Sequence, residues 1–209
     1  MAAISSMTRF VALSAPGCPD VVVEDYLLQA AIDLCRRSFV WRETVQEPVS
    51  PLDYPFQLSA PTWANVLKVL SIVGAGVAPG LEELTIRECD DRFVDWRTAP
   101  GVPAYYVNDP RDTVMLVPIP TATTTFDITL AYEPTSTATN IPDALYTEHR
   151  DTIVAGALMR LCMMPGKDWS NPSLALANRA MFEAGVSAAS REFHLNYSHA
   201  ALTVTPSPL

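Results

Sequence analysis

Basic side chains are scarce in this 209-residue sequence, and their scarcity excludes several kinds of protein. There are 14 Lys and Arg, of which two are Lys, against 23 Asp and Glu, so the formal net charge is −9. Proteins that bind nucleic acid obtain most of their affinity from cations that neutralise phosphates, so ordinary nucleic-acid binding is not expected. No stretch approaches the roughly 18 apolar residues of a membrane span, so no membrane contact is expected either.

Motifs that mark enzymes and metal sites are also missing. No C-x-x-C pair, no G-x-S-x-G elbow and no glycine-rich loop between a strand and a helix occurs. The four cysteines are widely separated and have no histidine at ligand spacing, which favours free buried thiols. They are Cys18, Cys35, Cys89 and Cys162. We therefore expect no catalytic residues, no cofactor and no metal.

Three residues keep an enzymatic alternative open. Asp91 and Asp95 lie one helical turn apart, and such carboxylates can share a divalent cation. Their spacing differs by one residue from a DDxxD motif, and a short solvated helix with Phe93 and Trp96 packed inward explains them as well. His149 lies between acidic residues on a predicted helix, either as a general base or as a surface or packing histidine. The alternative is a small soluble enzyme that depends on carboxylates.

Helical periodicity predicts one helix before the middle of the chain and another after it. After Pro19, apolar residues recur at intervals of three and four up to Arg36 and Arg37, with acids at the start. The period returns at Pro142-Asp143 and ends before Pro165-Gly166. The apolar residues of the first helix are Val23, Leu27, Ala30, Ala31, Leu34 and Cys35, and those of the second include Leu145, Ile153, Val154, Ala157, Leu158, Leu161 and Cys162.

A third helix is predicted from Asn171-Pro172 to about Leu195, because asparagine caps helices and proline suits their first position. Its predicted buried stripe is Leu174, Ala177, Met181, Gly185 and Ala188. This helix is also rich in alanine. Small side chains allow helices to approach closely, including helices of different subunits, but alanine is equally the best helix former.

The middle of the chain predicts strands, because Pro48, Pro51, Pro55 and Pro61 exclude a long helix. Val66–Val73 is predicted as a strand buried on both faces or nearly so, with Leu81–Arg87 as its hairpin partner. Thr113–Val117 and Phe126–Tyr132 are predicted to pair, with Thr121–Thr125 as the exposed connection. Phe126, Ile128, Leu130 and Tyr132 alternate with polar residues and should face the core.

These patterns predict an α+β fold in which a helical bundle, with one N-terminal and two C-terminal helices, carries an inserted antiparallel β domain. The first helix cannot bury its apolar face alone, so it should pack on the last two. The predicted helical domain is residues 1–40 and 142–197, and the β domain is residues 41–141. The β domain holds 13 acidic and 6 basic side chains, a net charge of −7. Such acidity keeps a surface soluble.

The two ends of the chain lack a clear period and are expected to be loose. Residues 198–209 are predicted to form an extended C-terminal arm. An arm of this kind adds a strand to a partner, or it is a frayed terminus. Its candidate partner-binding residues are Leu202, Val204, Pro206, Pro208 and Leu209.

Several short segments, taken in order, resemble one protein family. They are Cys35–Trp41 at the end of the first helix, Trp96 followed by Gly101-x-Pro103-x-Tyr105-Tyr106, Leu116-x-Pro118-x-Pro120, Tyr132-Glu133-Pro134, and Ile141-Pro142-Asp143 before the helix that contains Gly156-Ala157. With these segments, which cover roughly residues 20–190, the sequence resembles the head-to-tail adaptor proteins of short-tailed bacteriophages, also called tail tubular protein A.

The resemblance implies a structural virion protein, made in the host cytoplasm and placed at the head-tail junction. It implies a ring, typically of twelve copies, that docks on the portal protein, passes genomic DNA without specific binding, and carries a tail nozzle or tail tube protein. A negative lumen would then let DNA slide, and the arm would grip the portal or a neighbouring subunit. A tail-completion or neck protein of the same particle is the alternative.

Nine residues of these segments are interpreted as fold markers, which are residues that set turns and core packing. They are Trp96, Gly101, Pro103, Tyr105, Tyr106, Pro118, Pro120, Pro134 and Pro142.

Overall fold

The structure is a computed structural model that describes residues 1–52, 54–74 and 80–195. The chain forms two compact units. The helical unit comprises Met1–Val40 and the chain from Ser136 onward, and the β unit is Trp41–Thr135. The protein is thus of the mixed α+β class that the sequence predicts. The second crossing between units precedes Ser136, whereas the sequence placed it after Ile141.

The described helices are, in chain order, a 3-10 helix at Ile4–Met7, α1 (Thr8–Ala12), α2 (Asp20–Ser38), α3 (Ile86–Arg92), α4 (Asp143–Leu161) and α5 (Pro172–Leu195). The described strands are β1 (Ala2–Ala3), β2 (Arg42–Val49), β3 (Phe56–Gln57), β4 (Ala64–Gly74), β5 (Glu82–Glu83), β6 (Pro100–Gly101), β7 (Tyr105–Asn108), β8 (Thr113–Val117), β9 (Ile119–Pro120), β10 (Thr124–Pro134) and β11 (Asn140–Ile141).

Helix α2 forms where the periodicity predicts it. Pro19 occupies the N-cap position, Asp20 lies in the first turn, and Arg36 and Arg37 lie in the last turn, where a cation suits the helix dipole. Phe39 ends the helix in a left-handed conformation, with φ of 51°. Every apolar residue predicted for its inner face is buried.

Helices α4 and α5 pack closely on α2 because small residues lie at the contacts. A Cβ atom placed on Gly156 of α4 would lie 2.8 Å from the Cβ of Ala30 and 2.8 Å from the Phe182 ring. Two ion pairs add to this packing, from Arg160 to Asp33 and from Arg37 to Glu183. The bundle therefore depends on close backbone approach.

The predicted stripe of α5 is wrong. Leu174 and Gly185 are only partly buried, and Ala177, Met181 and Ala188 are exposed. The buried face is rotated, and its residues are Ala175, Asn178, Phe182, Val186 and Ala189. Two faces of α5 are similarly apolar, so periodicity alone does not choose between them. The Phe182 ring packs beside Gly156, and the Asn178 amide donates to the Leu174 carbonyl, which satisfies a polar group on the buried face.

The N-terminal segment is ordered, so the prediction of a loose N-terminus is wrong. Ile4, Met7 and Val11 are buried in the helical unit. Strand β1 pairs with β11 in an antiparallel ladder, and the Ile4 amide donates to the Thr139 carbonyl at 2.9 Å. These contacts join residues far apart in sequence, which a local pattern does not reveal.

Strand β10 is the centre of a three-stranded antiparallel sheet with the order β2-β10-β4. Phe126, Ile128, Leu130 and Tyr132 are all buried, which confirms the face that their alternation predicts. Asp127 on the other face is exposed. Residues 121–123 form an exposed turn, whereas Thr124 and Thr125 already belong to β10.

Strand β4 is not buried on both faces, contrary to prediction. Asn65, Lys68 and Val73 are exposed, while Val66, Val69 and Ile72 are buried. The buried residues are three apart because the pairing with β10 shifts register twice, between Thr129 and Leu130 and between Ala131 and Tyr132. Each shift is a β-bulge that adds one residue to β4. The bulges turn an alternating strand into a nearly continuous apolar run.

The two predicted strand pairings in the middle of the chain are also wrong. Strand β8 pairs with β7 and β3, and β10 belongs to the other sheet. The segment predicted as a hairpin partner of β4 contains β5, which runs parallel to β7, and the start of α3. A second parallel pair joins β6 and β9, so the β unit is not purely antiparallel. Strand pairing depends on long-range contacts that short apolar segments do not specify.

Candidate functional site

Helix α3 carries the acidic segment that resembles a metal motif. A capping box begins it: the Glu88 amide donates to the Thr85 hydroxyl at 3.2 Å, and the Thr85 amide donates to the Glu88 carboxylate at 2.8 Å. The Thr85 amide and the Thr85 hydroxyl both donate to the Glu88 carboxylate, and these two hydrogen bonds hold the pKa of Glu88 below its usual range. The helix therefore begins with an acid that serves its own cap.

Asp90 is held by side chains that follow the helix. Arg97 Nη1 donates to Asp90 Oδ1 at 2.7 Å, and Trp96 Nε1 donates to the same oxygen at 2.8 Å. Arg97, followed by Trp96, lowers the pKa of Asp90. The Arg97 guanidinium also lies 4.2 Å from the Trp96 ring centroid. This carboxylate fixes the position of a buried tryptophan.

The enzymatic candidates are not assembled into a metal site. Asp91 and Asp95 are exposed in the β unit. The Asp95 residue has a left-handed φ of 55°, and its carbonyl accepts hydrogen bonds from the Thr98 and Ala99 amides in a turn. Among residues 1–52, 54–74 and 80–195, no group of three or more His, Cys, Asp or Glu could hold a metal ion.

His149 is a packing histidine of α4 in the helical unit. Its side chain is 9% exposed, and its Nε2 atom, which lies 4.0 Å from the Glu148 carboxylate, has no hydrogen-bond partner among the described residues. Burial lowers the pKa of His149, and Glu192 and Glu148 oppose that effect. Burial of the ring therefore favours its neutral form.

Two of the fold-marker residues, Trp96 and Tyr105, belong to one small core of the β unit. Its buried members are Leu84, Cys89, Trp96, Val107 and Val117, with Ile86, Phe93, Tyr105 and Met115 packed against them. The Phe93 and Tyr105 rings have centroids 5.3 Å apart. Burial raises the pKa of the neighbouring Tyr106 well above its usual range. The core joins α3 to β7 and β8.

The remaining fold-marker residues lie at turns and strand ends. A Cβ atom on Gly101 would lie 3.0 Å from the Pro118 side chain, so the β6–β9 pair brings these two residues together. Pro103, Pro120 and Pro134 are buried. Pro142 is the N-cap of α4. The interpretation of these residues as fold markers stays a prediction.

Two open clefts were not predicted from the sequence. One, of about 530 Å³, lies beside α2 of the helical unit, where Glu24 and Asp25 meet residues 136–140. The other, of about 510 Å³, lies in the β unit between Glu83–Glu88 and Val107–Asp109. Both linings are predominantly acidic, and their described residues include no histidine or cysteine. The arm residues Leu202, Val204, Pro206, Pro208 and Leu209 lie outside the described part of the chain.

The described residues thus define a mixed α+β protein. None of the described helices is sufficiently long and apolar to span a membrane. The family model of the SU10 adaptor protein matches residues 4–204. The chain belongs to this family and is a phage head-to-tail adaptor protein, a structural component of the virion. The resemblance inferred from the sequence is thereby confirmed. No curated protein matches the chain.

Proposed function

We propose that copies of this chain form a ring, of twelve subunits, that docks on the portal protein and forms part of the DNA channel. The ring provides the platform to which the tail nozzle or tail tube protein attaches. The observation that carries this proposal is the adaptor family match, which spans both the helical unit and the β unit. The site of action is the head-tail junction of a virion whose proteins are made in the host cytoplasm.

The acidic β unit supports a role in the channel. Its 13 acidic and 6 basic side chains give a net charge of −7. Ion pairs with Lys68, Arg92 and Arg97 engage some of the acids, but Asp91 and Asp95 are exposed. A negative surface repels the DNA backbone, so genomic DNA would pass without specific binding.

The C-terminal arm is the proposed contact with the portal or with a neighbouring subunit. Its candidate residues, Leu202 to Leu209, combine strand-forming side chains with prolines and carry no charged side chain. Extended segments of this kind bind by adding a strand to a partner sheet. Deleting residues 202–209 should leave the far-ultraviolet circular dichroism spectrum unchanged and weaken portal association. Undiminished association would remove the arm from the proposal.

The decisive measurement is cryo-electron microscopy of the particle, together with native mass spectrometry of the chain mixed with its portal protein. We expect a ring of this chain directly below the portal and a complex with the portal in solution. A stable monomer without portal binding, and a particle without the chain at this position, would contradict the proposal. A ring placed further along the tail would instead identify a tail-completion or neck protein.

The channel role has a separate test. Asp91→Lys and Asp95→Lys together reverse charge at two exposed positions of the β unit, and we expect slower DNA ejection or poorer retention of packaged DNA. Asp25→Lys and Asp168→Lys, at exposed residues of the helical unit, provide a control with the same change in net charge. Equal effects from both pairs would leave solubility as the role of the acidic residues.

The enzymatic alternative makes a different prediction. A carboxylate-dependent enzyme that uses Asp91 and Asp95 would be stabilised by magnesium, since a ligand that binds the folded state raises the free energy of unfolding. We expect no change in melting temperature with added magnesium. A rise that Asp91→Asn abolishes would favour the enzyme.

A further inference from the structure

Two arginines from different helices are held on one aromatic ring of the helical unit. Arg9 Cζ in α1 lies 4.7 Å from the centroid of the Phe10 ring, and Arg150 Cζ in α4 lies 4.6 Å from the same centroid. The two guanidinium carbons are therefore no further apart than the sum of these distances. The ring attracts each cation, while the two positive charges repel each other. Arg9 is exposed and Arg150 is partly exposed, so this arginine pair, Arg9 with Arg150, is a doubly positive group that solvent reaches.

Neighbouring groups neutralise the arginine pair only in part. Arg150 Nε donates to Asp151 Oδ1 at 3.0 Å, whereas Arg9 forms no ion pair with a carboxylate in residues 1–52, 54–74 and 80–195. The hydroxyl of Tyr146, which lies one turn before Arg150, reports the local charge. A hydrogen bond with Ser6, together with the charges of Arg9 and Arg150, lowers the pKa of Tyr146. The arginine pair can therefore bind a carboxylate from outside the helical unit.

The β unit offers the opposite charge in one of its clefts. Three acidic side chains and one basic side chain line the cleft between Glu83–Glu88 and Val107–Asp109. Glu83 is engaged by Lys68 at 3.3 Å, but Asp109 is exposed and forms no ion pair within the described part of the chain. The apolar lining residues are Leu84, Ile86 and Val107. A concave, partly apolar site excludes water, and this strengthens the attraction between opposite charges that meet in it.

We propose that the arginine pair of one copy docks at the acidic cleft of a neighbouring copy, a contact that presupposes the proposed ring. A closed ring is built from heterologous contacts, in which each copy presents two different and complementary surfaces. The helical unit holds 10 acidic and 8 basic side chains, a net charge of −2, whereas the β unit has a net charge of −7. Two β units that meet repel each other, whereas the arginine pair brings cations to the acids.

The same chain carries both halves of this contact, and this selects a second copy as the partner. Arginine suits the role because its planar guanidinium binds a carboxylate through two hydrogen bonds, and arginine is enriched in protein interfaces. The Phe10 ring restricts both guanidinium groups before binding, so less side-chain freedom is lost on docking. Complementary charges of this kind set orientation and partner choice, while the remaining interface supplies the buried area.

Charge reversal on each side of the contact, separately and together, tests the proposal. Arg9→Glu with Arg150→Glu reverses the arginine pair, and Glu83→Lys with Asp109→Lys reverses the cleft. Each double variant alone should be incorporated into particles on the order of tenfold less than the wild-type chain, because like charges then meet. When the two variants are coexpressed, every contact of an alternating ring again joins opposite charges. We expect incorporation to recover, with the two variants present in equal numbers.

Matched controls change the same net charge elsewhere in each unit. Arg179→Glu with Arg191→Glu alters two exposed arginines of α5, and Asp91→Lys with Asp95→Lys alters two exposed acids of the β unit. Neither control should lower incorporation. Circular dichroism checks that each variant folds, and recovery in the mixture is a second check, because coexpression does not rescue a chain that fails to fold.

Recovery in the mixture requires that two copies contact each other, so it distinguishes a neighbouring copy from every other partner. Incorporation of either double variant at the wild-type level would overturn the inference. A mixture that stays as poorly incorporated as the separate variants would also overturn it, and would place the partner of the arginine pair on the portal, a tail protein or DNA. Absence of the wild-type chain from the particle would contradict the proposed function itself.

Discussion

The helical unit and the β unit use side-chain volume in opposite ways. In the helical unit, small residues let long helices approach, and Gly156 leaves space that Ala30 and Phe182 fill. In the β unit, a bulky residue fills the space between short elements, because Trp96 is 3% exposed within the core formed by α3, β7 and β8. The helical unit should therefore be most sensitive to added volume, and the β unit to lost volume.

The contrast between the two units has one exception, which lies in the β unit. In the β unit, a Cβ atom on Gly74 would lie 2.6 Å from the Phe126 ring, so close approach also occurs at the end of β4. The contrast therefore concerns the helix contacts and the Trp96 core, and each can be tested by a single substitution.

The largest effect is expected from Trp96→Ala. Removing a buried tryptophan leaves a cavity, so the free energy of unfolding should fall by about 4 kcal/mol, as measured by urea denaturation. Hydrogen exchange should rise in peptides that contain α3, β7 and β8. Trp96→Phe retains a ring but not the hydrogen bond to Asp90, and should cost about 2 kcal/mol. Equal losses for both variants would show that volume is not the deciding factor.

Gly156→Val should be the next most damaging change, at about 3 kcal/mol, because its side chain would overlap Ala30 and Phe182. Urea denaturation followed at 222 nm, where helices dominate the signal, would measure it. Ala180→Val provides a control on the exposed side of α5 and should cost about 0.5 kcal/mol through helix propensity alone. If the two costs are similar, close helix approach does not govern this unit.

The pH dependence of stability probes the helical unit through His149. Burial lowers its pKa, so the folded protein keeps the ring neutral, whereas the unfolded chain binds a proton below about pH 6.5. The free energy of unfolding should therefore fall as pH falls below 6.5, by up to about 1.4 kcal/mol per pH unit, until the folded pKa is reached. Above pH 7 this residue makes no contribution.

Urea titrations between pH 5 and 7.5 would measure this slope. His149→Gln removes the titrating group, so its slope through this range should be smaller than that of the wild type. An unchanged slope would assign the pH dependence between pH 5 and 7.5 to groups other than His149.

The smallest effect concerns the capping box of α3. Thr85→Ala removes the hydroxyl that accepts from the Glu88 amide, at a cost of about 1 kcal/mol. Thr85→Ser keeps a hydroxyl and should lose little, as thermal denaturation can show. Since α3 presents Asp90 to Trp96, a much larger loss for Thr85→Ala would mean that the short helix and the Trp96 core fold together.

Local patterns predicted the long helices well, because helical contacts join residues only three and four apart. The inner face of α2 and the ends of α4 and α5 follow from apolar spacing, prolines and capping residues. The inward face of β10 was equally predictable from strict alternation. In the candidate site, the same local reasoning identified the short helix near Asp91 with Trp96 packed inward, which the structure contains.

Other features depended on contacts between distant residues. Strand β8 has no sequence signal that selects β7 over β10 as its partner. The two bulges of β4 made an alternating strand resemble one buried on both faces. The N-terminal segment gains order from Asn140 and Ile141, which lie far along the chain.

By itself, the sequence determined the class of the fold, the positions of the long helices, the acidity of the β unit and the adaptor family. These properties depend on composition, local periodicity and short motifs. Only the tertiary structure decided which strands pair and which side of α5 is buried. Two sides of α5 are similarly apolar, so periodicity does not decide which one is buried. The space beside Gly156 selects the side that carries Phe182. That selection leaves the side with Leu176 and Met181 exposed to solvent.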